Sequence, residues 1–180
     1  MWYPSAFPAP PTVEPVSLEN AQDHCNAPES DFEDALQRLI RAARAHAEEY
    51  CNTRFAERPI VAKCDSFSDL SRLSEGPLKS VTSIEYVDPD GTAHTLEETV
   101  YEPHKDGLEP SIGLKPDQVW PRIKPGSRIT VTAVYGGSVP ESVQHAMLLF
   151  IGDAFLNREN AKREDWTAFD ALLCNHRRGV

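Results

Sequence analysis

Apolar side chains recur at the spacing of a single helix face in several stretches of the chain. Phe32, Leu36, Leu39, Ile40, Ala43, Ala47 and Tyr50 follow the i, i+3, i+4, i+7 rhythm, with Arg38, Arg41, Arg44, Glu48 and Glu49 on the remaining circumference. This predicts the longest helix, over 31–52, and Ser30 and Glu33 stand before it at the spacing of a capping box. Upstream, Ser17 is a suitable N-cap and Glu19 complements the positive helix end, so a short helix is expected over 17–25, stopped by Asn26-Ala27-Pro28. Downstream, Pro140 and Glu141 open a helix over 140–157. Its Val143, Ala146, Met147, Phe150, Ile151, Ala154 and Phe155 are joined by Leu148 and Leu149. A helix apolar on so much of its surface packs on more than one side, and 31–52 is its expected neighbour.

Between the second and third of these helices the period changes to two. Residues 60–67, 81–87, 92–96, 112–114 and 128–135 read as short strands, with Tyr101 in another. Asp88-Pro89-Asp90-Gly91 makes a hairpin of the second and third, and Gly136-Gly137 ends the last. Pro4, Pro8, Pro10, Pro11 and Pro15 preclude helix in the first fifteen residues and favour an extended arm. The fold class is therefore α+β and mainly helical: a helix bundle with a small antiparallel β region at 59–135 inserted between the second and third main helices. An arm over 1–15 precedes a main domain over 16–163, and a last short helix and tail occupy 164–180.

Composition narrows what this fold does. Asp and Glu number 28 against 18 Lys and Arg, a formal charge of -10, which gains nothing from counterion release on a phosphate backbone. No stretch reaches the ~20 apolar residues of a membrane helix, and the first residues lack the basic and apolar regions of a secretory signal, so the protein is expected to stay where it is made. Cys25, Cys51, Cys64 and Cys174 form no CxxC pair and are expected to be reduced thiols.

Candidate chemistry is sparse. No G-x-S-x-G element occurs, and Gly136-Gly137-Ser138 lacks the further glycines and lysine of a phosphate-binding loop. His24-Cys25 and Cys174 with His176 do not have the spacing of metal ligands, so no metal or cofactor is expected unless distant parts converge. Glu48-Glu49 and Glu97-Glu98 read as solvated faces. Two features suit contact with another protein: the stripe Trp166, Phe169, Leu172 and Leu173, followed by Arg177 and Arg178, and the arm aromatics Trp2, Tyr3 and Phe7. Core closure is the favoured reading of the stripe with partner docking the alternative, and a disordered terminus is an equal reading of the arm.

In order, the chain carries P-V-S-L-E-N-A, D-F-E-D-A-L-Q-R-L-I-R-A-A-R, S-V-T-S-I-E-Y-V-D-P-D-G and Y-G-G-S-V-P-E-S-V-Q-H-A-M-L-L-F. This ordered set, over about Pro15 to Leu173, resembles the phage head-tail connector (adaptor) family of long-tailed phages and gene transfer agents. The resemblance implies no catalysis. It implies a helical domain with a β insert that assembles into a ring, of twelve subunits in the usual case, under the portal protein. The ring would continue the channel for double-stranded DNA without reading its sequence and would meet a stopper or tail terminator protein below. The C-terminal segment would reach the portal, giving Trp166, Phe169, Leu172, Leu173, Arg177 and Arg178 a partner. The proline-rich arm departs from shorter members. A stopper or tail-completion protein is the alternative within the structural class, and a metal-dependent enzyme with a converged Cys/His site is the alternative outside it.

Overall fold

The computed structural model describes residues 1–27, 32–157 and 167–179, and the chain divides into two compact units. One comprises Met1–Thr12 and Glu57–Gly137, the other Val13–Ala56 and Ser138–Val180.

The first unit is built on strands. β1 (Arg58–Cys64), β6 (Ile129–Tyr135), β2 (Leu78–Val87) and β3 (Ala93–Thr95) form an antiparallel sheet in the order β1-β6-β2-β3, while β4 (Tyr101–His104) and β5 (Ser111–Leu114) pair separately. β6 alternates as a half-buried strand should: Ile129, Val131, Ala133 and Tyr135 point into the core. β1 is shorter than the sequence predicts. Asp65 and Ser66 leave the ladder, and Ser66 and Asp69 cap a single 3-10 turn over Phe67–Ser71 that drops Phe67 and Leu70 into the core. The predicted hairpin is present. Asp88 Oδ1 accepts the Thr92 amide at 2.8 Å and Gly91 takes φ +93°, a conformation a side chain would strain.

The proline-rich arm belongs to this unit. It lies antiparallel along the outer side of β1, with Tyr3 N–H donating to Lys63 O at 2.9 Å and Ala6 N–H to Val61 O at 2.8 Å. Pro4 falls between these donors, where a missing N–H costs nothing. Trp2 packs against the sheet core, and its indole donates to Arg72 O at 2.9 Å. Tyr3 hydroxyl donates to Asp65 at 2.9 Å, and the Arg128 guanidinium stands 3.7 Å from the Tyr3 ring centroid. The extended conformation is as expected. The picture of a free tail needs correction, because Trp2 and Tyr3 are fastened to the chain's own strand, and Phe7 is the arm aromatic left about half exposed, under Arg58.

The second unit is helical: α1 (Leu18–Cys25), α2 (Glu33–Cys51), α3 (Glu141–Leu156) and α4 (Ala168–Leu173), the last continued by a 3-10 turn over Cys174–His176. Ser17 caps α1 by accepting the Asn20 amide at 3.1 Å, and Asn26 and Asn52 end α1 and α2 in the left-handed conformation. Ser30, read with Glu33 as the capping box of α2, lies outside the described residues. α3 packs against α1, α2 and α4, as its broad apolar surface requires, burying Val143, Ala146, Met147 and Ile151. Gly152 interrupts that apolar run for a reason: a Cβ there would stand 3.0 Å from His24 Nε2 of α1.

The α+β class and the order of elements agree with the sequence reading; the mainly helical balance does not. Six strands among the described residues give the β region a core of its own, around Ile60, Leu70, Ile84, Val131 and Tyr135. A second correction concerns α2. Glu48, read as part of a solvated face, is 1% exposed. Its Oε1 accepts the Phe55 and Ala56 amides at 3.0 and 3.1 Å, and its Oε2 meets Arg44 Nη1 at 3.2 Å. Arg44, also buried, donates through Nε to Glu14 at 2.7 Å. The carboxylate thus ties the last turn of α2 to the segment leaving it.

Candidate functional site

The sequence offers the C-terminal stripe as the place where this protein meets another, and α4 is where the stripe is fixed. Thr167 and Asp170 form a capping box at its start: Asp170 Oδ2 accepts from Thr167 N–H at 2.9 Å and from its hydroxyl at 2.6 Å. The T-A-F-D spacing is the signal for this box, and sequence reasoning passed it over. The Thr167 hydroxyl holds the Asp170 carboxyl below its ordinary value, against an opposing effect of burial. A depressed carboxylate contributes stability that is complete above its unfolded pKa of about 3.9 and is lost as pH falls through the folded value. Thr167→Ala is therefore expected to cost about 1 kcal/mol at neutral pH and to flatten the acid limb of stability below about pH 4, as read by chemical denaturation at a series of pH values.

From that cap, the stripe points inward. Phe169 is 7% exposed and stacks on His46 with centroids 4.9 Å apart, beside Phe150 and Tyr50. Leu173 is fully buried, and its carbonyl receives the Cys51 thiol at 3.6 Å. Leu172 is half-buried. Beyond the helix, Thr53 hydroxyl donates to His176 O at 3.2 Å and Arg178 N–H to Cys51 O at 2.7 Å, which draws the tail along the end of α2 and buries Arg178. Arg177 remains exposed, its guanidinium 5.1 Å from the Tyr50 ring centroid. Trp166 lies outside the described residues. Among the described ones, Phe169, Leu173 and Arg178 seat the segment in its own unit, and Arg177 with part of Leu172 is left at the surface.

The arrangement offers little chemistry. Ser142 Oγ and His176 Nε2 are 2.8 Å apart, a hydrogen bond that pins the tail to the first turn of α3. No carboxylate lies within ion-pair distance of His176 among the described residues, so the third, orienting member of a nucleophilic relay is missing there. Burial pushes the Cys51 and Cys64 thiols up to about 11 and raises Cys25 as well, which keeps them protonated and poor ligands. Cys174 Sγ faces Ala171 O at 3.2 Å. Among the described residues no three His, Cys, Asp or Glu are grouped to hold a metal, and no helix is long and apolar enough to cross a membrane. Gly136, at φ +100° with its amide on Pro77 O at 3.0 Å, makes the Gly136-Gly137 pair a turn. Glu97 and Glu98 are exposed, as expected.

No protein-family model matches the chain, and no curated protein does. Solved structures do. A chain from the neck of an empty gene transfer agent particle, computed with C6 symmetry, superposes with a TM-score of 0.82 at 17% identity, over 99% of this chain and 97% of that one. A chain from the virion of a native gene transfer agent particle gives 0.81 at 18% identity, over 98% and 96%. One from the neck of a native particle, computed with C12 symmetry, gives 0.71 at 21% identity, over 94% and 93%. Nearly end to end, then, this chain has a fold found in the neck of gene transfer agent particles, the setting to which the resemblance in its sequence points.

Proposed function

We propose that the protein is a virion structural component of the neck, a head-tail adaptor that forms a ring between the portal protein above and a stopper or tail terminator protein below. The observation that carries this reading is the shared fold, which extends over almost the whole of both chains and so includes the β unit as well as the helices. The six- and twelve-fold symmetry of the necks in which that fold occurs favours self-assembly into a closed ring, with twelve copies as the expected number. Work through surfaces also suits a chain whose buried Glu48 and Arg44 are engaged in ties within the fold.

In this reading the C-terminal segment meets the portal. Arg177 and Leu172 supply the accessible contacts, Trp166 is proposed to join them, and Phe169, Leu173 and Arg178 hold the segment in position. Double-stranded DNA passes through the lumen without sequence-specific contact, and a chain of net charge -10 repels the duplex and lets it slide. Electron microscopy of the neck of purified particles tests this directly. Ring density for the chain against the portal is the expected result. Density on the tail side of another ring would make it a stopper, and a neck without the chain would end the structural reading.

A further inference from the structure

Residues 115–128 link β5 to β6 and carry Lys115, Arg122, Lys124 and Arg128 against one carboxylate, Asp117, in a chain that is otherwise strongly acidic. The loop is held firmly. The Trp120 ring stacks on Phe67 with centroids 4.8 Å apart and planes 2° from parallel, and Lys124 N–H donates to Val87 O at 2.9 Å. Ser127 hydroxyl donates to Lys124 O at 2.7 Å. What this rigid loop presents is Val119, 79% exposed, flanked by Arg122 and Lys124, which are exposed and in no ion pair among the described residues. Arg128 is committed to the Tyr3 ring.

The helical unit carries the complementary feature. Val13, Val16 and Leu18 lie beside Ile40 of α2 and line an open groove of about 310 Å³, with Glu14 and Arg41 among its polar walls. Val13 is 75% exposed. Val13 to Leu18 form one wall, where Glu14 is already paired with Arg44, and α1 runs on from that wall with the exposed carboxylates Glu19 and Asp23 and no Lys or Arg up to Cys25. An apolar knob with cations beside it and an apolar groove with carboxylates beside it thus occur in different units of one chain.

We infer that the Val119 loop of one copy seats in the groove of the next, with Arg122 and Lys124 against the acidic α1 stretch. This deepens the adaptor reading and rests on it. A ring closes only if each copy offers two different, mutually complementary patches, and these two satisfy that requirement. Copies of net charge -10 repel one another, so a basic loop meeting the acidic residues of α1 offsets part of that repulsion. A duplex fits the loop less well, since phosphate contacts need the two cations and make no use of an exposed valine.

The test is a photo-crosslinking residue at position 119 of the full chain, expressed in cells that make the particles, with crosslinks mapped in purified necks. Products of two chain masses joining position 119 to residues 13–41 are expected. Val119→Asp is expected to lower the amount of chain in necks about tenfold or more, the effect of losing one buried aliphatic side chain and burying a charge. The pair Arg122→Glu and Lys124→Glu should act similarly and be restored by Glu19→Lys with Asp23→Lys in the same chain. Chain present in necks but crosslinked elsewhere overturns the inference and leaves the adaptor reading standing. So does a charge-reversed chain that enters necks normally while losing only DNA contact. Chain absent from unmodified necks overturns both.

Discussion

Glu48→Ala is expected to lower the stability of the helical unit by about 3–5 kcal/mol, the range for removing one partner of a buried ion pair. Two losses combine. Arg44 keeps Glu14, but its Nη1 group stays buried without the carboxylate it faces at 3.2 Å. The Phe55 and Ala56 amides lose their shared acceptor, and each unsatisfied buried donor costs about 1–3 kcal/mol. The costs overlap, since relaxation at one relieves the other. Glu49→Ala, one residue on and exposed, is the control and should change stability by less than about 0.5 kcal/mol. Urea denaturation of both variants followed by helical circular dichroism decides the matter. Equal midpoints would mean that Glu48 is not the tie described above.

The second large effect separates packing from partner contact at the C-terminus. Leu173→Ala opens a cavity at a fully buried position and is expected to cost about 2–5 kcal/mol, with incorporation into particles lost through the fold. Arg177→Glu touches an exposed side chain and is expected to leave the denaturation midpoint in place while reducing the portal-bound fraction in pull-down with purified portal protein. Leu172→Ala, half-buried, falls between the two. If Arg177→Glu binds portal as well as the unsubstituted chain, the C-terminal segment is not the portal contact and serves only to close the helical core.

These contrasts also mark how far the sequence could be read. Helical periodicity identified α2 and α3 because their buried positions repeat within one element, while the Ser17 cap identified α1 and the Asp88-Pro89-Asp90-Gly91 turn its hairpin because caps and tight turns are local chemistry. What was illegible depends on distant partners. Nothing in the arm names β1 as its neighbour, because ladder hydrogen bonds are made by backbone groups common to every residue. Glu48 and Glu49 look alike in sequence, yet Leu36, Ile40, Arg44 and Glu48 succeed one another every four residues along one ridge of α2, a signal that was available. The stripe of α4 left both core and surface open, with core favoured, because a helix end pointing inward has the same composition as one pointing at a partner. The site is therefore less legible than the fold.

The arm laid on β1 has a practical meaning for a chain that must stay apart from its copies before it assembles. With those first residues in place, the longest outer strand of the sheet is spoken for, and the opposite flank offers just the three residues of Ala93–Thr95. A chain lacking residues 1–7 would display a bare seven-residue edge open to edge-to-edge strand pairing with other copies. Removing those few residues is therefore expected to make the purified chain more prone to aggregate.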